Sequence, residues 1–217
     1  MSAEISSKST SLLKGMFYEN NVRSDRFSRI VLFLALLIYL LSGILNFFNL
    51  YENFAPDYYI IYFSLSAILF AGAVGSWIVP QPMRKWIIIG SIVVSNAVCH
   101  YFFYAYASLI YMIPIFLSVL YYQKKFTVQI SLMAWLCFLV SVAVNRNSFF
   151  AAHDLIFIVF SIALPQTFVM AISAFIGART AGIGRHMVLK QFKSVSKIAA
   201  MEQDIAMSAK RKHFIVR

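Results

Sequence analysis

Between the basic pair Arg84–Lys85 and the basic pair Lys124–Lys125, the chain runs from Trp86 to Gln123 without a single Asp, Glu, Lys or Arg. As one helix, the stretch from Trp86 to Tyr122 would be about 55 Å long at ~1.5 Å per residue, nearly twice the ~30 Å hydrocarbon core of a bilayer. One crossing is too few. Two crossings of roughly 17 to 19 residues fit if the chain turns where Tyr101, Tyr104 and Tyr106 gather with Phe102 and Phe103, as aromatic side chains do at a membrane surface. The stretch therefore reads as a tight helical hairpin whose two basic ends lie on one side, and the excess of Lys and Arg in cytoplasmic loops makes that side the inside.

Composition supports the same class. Only 12% of residues are charged and 61% are hydrophobic, with a mean hydropathy of +0.76; a soluble domain carries about a quarter charged residues. The expectation is an all-α integral membrane protein with the lipid bilayer as its first partner. The net charge of +11 does not point to nucleic acid, because the cations sit at the ends of apolar spans rather than forming a basic patch. Cys99 and Cys137 both lie within apolar spans, where a thiol behaves as a small hydrophobe, and no disulfide framework or zinc spacing is present.

Propagating outward from the central hairpin gives three regions. Residues 1–29 form a polar, basic cytoplasmic segment, read either as a short amphipathic helix around Leu12, Leu13, Met16 and Phe17 or as a solvated leader. Ser24 and Asp25 are the expected N-caps of the first membrane helix. Residues 30–178 form six spans arranged as three hairpins, at about 30–50, 58–79, 86–104, 106–122, 126–145 and 155–177. Residues 179–217 form a cytoplasmic linker helix and tail. In this layout, 18 of the 19 Lys and Arg residues are inside and only Arg146 is outside, with Glu52, Asp57 and Asp154 as outer acids; the inner face carries +13 and the outer face −2. Both termini are then cytoplasmic.

Within the spans, Gly43, Gly72, Gly75 and Gly90, with Ser64, Ser66, Ser91 and Ser95, are the small residues expected at helix contacts. Pro114 and Pro165 are expected to kink the fourth and sixth helices. No Asp, Glu, Lys or Arg falls in the middle of a span, which disfavours ion-coupled transport. A neutral-solute carrier lined by Ser95, Asn96 and Gln166 remains the alternative. The candidate ligand site is an outer pocket of His100, His153 and Asp154, since imidazole and carboxylate bind protons or metals. No metal-ligand spacing, nucleophile elbow or phosphate-cradling loop occurs, so no metal, cofactor or enzymatic activity is expected.

After the sixth span, Gly182 and Gly184 read as a flexible joint. A heptad pattern follows, with Val188, Val195, Glu202 and Ala209 on one register and Gln191, Ile198 and Ile205 on the other, suited to a homodimeric coiled coil. Short-looped spans ahead of a linker helix resemble the membrane input regions of bacterial cyclases, diguanylate cyclases and phosphatases. The run from Met201 through Glu202, Gln203, Asp204, Ile205 and Ala206 to Lys210 is similar to the linker entering the sporulation-type metal-dependent serine phosphatase family. That family continues with Ile-Gln and Leu-Pro, whereas this chain reads Arg211 to Arg217, so no catalytic residue carries over. The resemblance implies a non-catalytic sensor or anchor domain in a bacterial inner membrane, separated from its output domain.

Overall fold

The computed structural model describes residues 2–48, 50, 58–102, 109–144 and 163–215, and among them every regular element is helical. The elements are α1 (Ser2–Phe47), α2 (Tyr58–Ile78), α3 (Gln81–Phe102), a 3₁₀ turn (Leu109–Tyr111) running into α4 (Met112–Val119), α5 (Lys124–Val144) and α6 (Leu164–Ile215). Five of them, all but α4, are long and apolar enough to cross a membrane. The bend expected around Tyr104 and Tyr106 lies outside the described residues, as do Arg146, His153 and Asp154.

The helices run alternately up and down, as side-chain contacts at their ends show. Phe47 near the end of α1 meets Tyr59 at the start of α2, with rings 5.5 Å apart, while Arg29 lies over the Trp77 ring near the end of α2. At one end of the bundle, Tyr111 stacks edge-on to His100 of α3; at the other, Tyr121 bonds Asp25 of α1. From Tyr111 to Tyr121 the chain thus returns past α3. Of the fourth span expected at 106–122, residues 106–108 lie outside the described residues, and the rest is the 3₁₀ turn, the 8-residue α4 and the turn that follows it. α6 then runs back along α5, with Trp135 Nε1 donating to Thr167 Oγ1 at 3.3 Å and Gly177 packing against Val119, Thr127 and Ile115.

Small residues set the close approaches. Gly72 of α2 lies so near Ser91 of α3 that a Cβ would collide with the Ser91 side chain, and Gly43 meets Tyr62 and Phe63 of α2. The core is a column through Leu32, Leu69, Ile89, Phe126, Ile130 and Phe138. The outside is apolar too: Phe33, Leu34, Leu37, Ile38 and Leu41 of α1 are all exposed, positions that a soluble bundle fills with polar residues.

One local expectation changes. Helix α1 is continuous from the basic N-terminal segment into the apolar stretch, so Ser24 and Asp25 are interior residues and not N-caps. No proline interrupts Ser2–Phe47, and the side chains of Asn20 and Ser24, one turn apart, bond to another helix and not to their own backbone. Pro114 falls in the first turn of α4, where the 3₁₀ turn Leu109–Tyr111 passes into the α-helix. Pro165 is the second residue of α6, and residues 155–162 of the expected sixth span lie outside the described residues.

Candidate functional site

The most densely bonded polar cluster lies at the basic end of the bundle, built on the tight turn between α4 and α5. Helix α4 stops at Val119 and α5 begins at Lys124, and the chain reverses by holding Tyr122 at φ 52°, a left-handed conformation that costs a non-glycine residue about 1 kcal/mol or more. The carbonyl of Leu120 would be an orphan at this helix end. Helix α1 supplies the missing donors: Asn20 Nδ2 at 3.1 Å and Ser24 Oγ at 2.9 Å both donate to it.

The residue after Ser24, Asp25, reaches the same turn. Its carboxylate accepts the Tyr121 hydroxyl at 2.8 Å and Gln81 Nε2 from the start of α3 at 3.3 Å, while only 1% of its surface remains exposed. Lys85 donates to Gln123 Oε1 and rests 4.7 Å from the Phe126 ring centroid. Desolvation pushes the Asp25 carboxyl above its ordinary value, against the opposing pull of the Tyr121 hydroxyl and of Arg84, Arg29 and Lys85. Burial likewise pulls the Lys85 ammonium down, opposed by Asp25. Desolvation thus outweighs attraction for both groups, as expected where charges are taken from water without close pairing.

The cluster holds donors and acceptors from α1, α3 and the α4–α5 turn in one network. The same turn touches α6: the Tyr122 ring packs directly on Gly184, where a Cβ would collide with it. Gly184 is thus a packing residue. Helix α6 passes through Gly182 and Gly184 unbroken, so the expected flexible joint is a continuous helix held on one side by Tyr122. Beyond it, every residue from Lys193 to Glu202 is exposed, including Val195 and Ile198, and Ile205 is exposed as well, while Val188 is half-buried.

Of the proposed outer pocket, only His100 is described. It is 1% exposed, flanked by the Tyr111 and Phe138 rings at 5.7 and 5.3 Å, and neither ring nitrogen has a hydrogen-bond partner. The neighbouring cavity of about 330 Å³ is lined by Ala97, Val98, Tyr101, Phe102, Val140 and Ser141 among others, so His100 faces the core and not that space. Asn96, expected on a solute path, donates to the Ile110 carbonyl at 2.9 Å and serves the start of α4. Sequence reasoning missed Asp25, Tyr121 and Tyr122. The signal was a lone acid set among Arg23, Arg26 and Arg29, and a Tyr pair just before Lys124 and Lys125.

The fold and this cluster define a class, an all-helical protein with several helices able to cross a bilayer and a polar network at its basic end. No protein-family model matches the chain, and no curated protein or solved structure matches it either.

Proposed function

We propose that the chain is a non-catalytic sensor or anchor domain of a signal-transduction protein, embedded in a bacterial cytoplasmic membrane by six crossings, with both termini inside. It acts as a homodimer and passes a rotation or separation of α6 to a cytoplasmic partner or domain. The observation that carries this reading is α6 itself: 52 residues without a break, packed on α5 in its first part and exposed from Lys193 to Glu202. Past Gly184 it continues for about 46 Å at ~1.5 Å per residue. At ~100° per residue, Val188, Gln191, Val195, Ile198, Glu202 and Ile205 fall within an arc of about 100°, the width of one packing face. Exposed Val195, Ile198 and Ile205 on that arc gain from pairing with a second copy, while Glu202 in the seam keeps the pairing weak enough to be switched.

The six-crossing layout is supported by the charge asymmetry and by the passage of residues 109–121 from the His100 end to the Asp25 end. The input reading centres on whatever alters the α1–α3–turn network, because Tyr122 joins that network to Gly184.

Single cysteines along Val188 to Ile205, in a background with Cys99 and Cys137 replaced, test the proposal. Disulfide dimers should peak at Val195, Ile198 and Ile205 and fall at Lys193, Lys197 and Ala200 on the opposite face. A flat pattern, or no dimer at any position, removes the relay.

A further inference from the structure

Two cavities flank α6 where it leaves the bundle, one of about 810 Å³ lined by Phe17, Tyr122, Lys124, Lys125, Val128 and Arg185 among others. Its neighbour of about 550 Å³ is lined by Lys124, Arg179, Gly182, His186, Met187 and Lys190 among others. Lys124 belongs to both. Five Lys and Arg side chains thus line these spaces, and neither lining contains a carboxylate. Unneutralised cations gathered in a concave site call for an anion.

The surface above the cations says which kind. Starting at Val128 in the larger cavity, α5 presents Val128, Leu132, Leu136, Val140 and Val144, one residue every four, each between 47 and 65% exposed. This unbroken apolar track rises about 24 Å from the foot of the site at ~1.5 Å per residue, enough to run alongside an acyl chain through one leaflet of a ~30 Å core. A free phosphate or an acidic peptide has no use for it. On the other side of the cations, Ile183 and Met187 of α6 are exposed as well.

We infer that the α5–α6 cleft is a binding site for an anionic phospholipid, its phosphate held by Lys124, Lys125 and Arg185, with Arg179 and Lys190 across α6, and an acyl chain lying along the Val128–Val144 track. The site rests on the membrane placement above and not on pairing of α6, so the cysteine pattern and lipid binding can fail separately. Because Gly184 and Arg185 are adjacent, a bound headgroup sits where Tyr122 meets α6.

Native mass spectrometry of the full chain from detergent micelles, with equimolar phosphatidylglycerol and phosphatidylcholine, tests this. The anionic lipid should be retained over the zwitterionic one by on the order of tenfold or more, because several cations engage its phosphate. Lys124→Gln with Lys125→Gln and Arg185→Gln should bring the ratio toward unity, whereas Lys124→Arg with Lys125→Arg should keep it. Lys193→Gln with Lys197→Gln, on the exposed part of α6, should keep it too. Equal retention of the two lipids, or equal loss in the Lys193/Lys197 control, overturns the site. Loss in the charge-conserving Arg variant does the same. Displacement of the lipid by millimolar inorganic phosphate assigns the cations to a free anion and overturns the lipid reading.

Discussion

The bond between Tyr121 and Asp25 is one of the contacts by which α1 holds the α4–α5 turn, and its worth can be worked from its surroundings. The hydroxyl meets Oδ1 at 2.8 Å, with Tyr121 fully buried and Asp25 1% exposed. A hydrogen bond to a charged acceptor contributes about 1.5–3 kcal/mol, and a donor left buried without a partner costs about 1–3 kcal/mol. Tyr121→Phe removes the donor and leaves Asp25 with Gln81 alone. Asp25→Ala strands two donors, the Tyr121 hydroxyl and the Gln81 amide, and should lose about 2–5 kcal/mol. In the double variant no hydroxyl is left stranded, so the two losses should fall short of their sum by about 1–3 kcal/mol. Reversible unfolding in mixed micelles, titrated with a denaturing detergent and followed by circular dichroism, measures the four corners of this cycle. Additivity within about 0.5 kcal/mol would refute the clamp, because the two side chains would then act independently.

Three further outcomes follow from single sites. Because desolvation raises the Asp25 carboxyl, the native state binds its proton more tightly than the unfolded chain, so its stabilising effect is greatest at acid pH. The stability of wild type relative to Asp25→Asn should therefore fall as pH rises from ~4 through the native value and then level off; a difference that grows with pH contradicts the assignment. Gly72→Ala should lose about 1–3 kcal/mol by overpacking against Ser91, and Ser91→Gly should recover much of it in the same melting assay; a neutral Gly72→Ala would mean α2 and α3 are not in contact there. His100→Phe removes two ring nitrogens that have no partner, so thermal stability should hold or rise, whereas a loss above ~2 kcal/mol would show that the imidazole makes a bond.

What the sequence made legible was whatever depends on hydrocarbon thickness and on apolar runs. Ionisable residues are so scarce between Arg84 and Lys125 that helices able to cross a membrane follow directly, and α2, α3 and α5 begin and end within a few residues of expectation. The left-handed Tyr122 that ends the α4–α5 segment was not legible, because no glycine marks that turn. Asp25 was misread as well. Local propensity makes an aspartate before an apolar run a helix cap, but tertiary donors from Tyr121 and Gln81 hold it inside a helix. Gly182 and Gly184 were read as a joint from backbone freedom alone, when the Tyr122 ring needed the space of a missing Cβ at Gly184. His100 was picked out as polar and central, and the other two residues of its expected pocket, His153 and Asp154, lie outside the described residues.

The relay account stands on α6 being one rigid rod from the bundle to its exposed apolar face. Pulsed electron spin resonance between labels at Thr180→Cys and Ile205→Cys, in chains diluted with unlabelled protein, measures that directly. A continuous helix places the two backbone positions about 38 Å apart at ~1.5 Å per residue, in a narrow distribution. A broad distribution centred well below that distance would mean that the helix breaks at Gly182–Gly184, and no rotation could then travel along it.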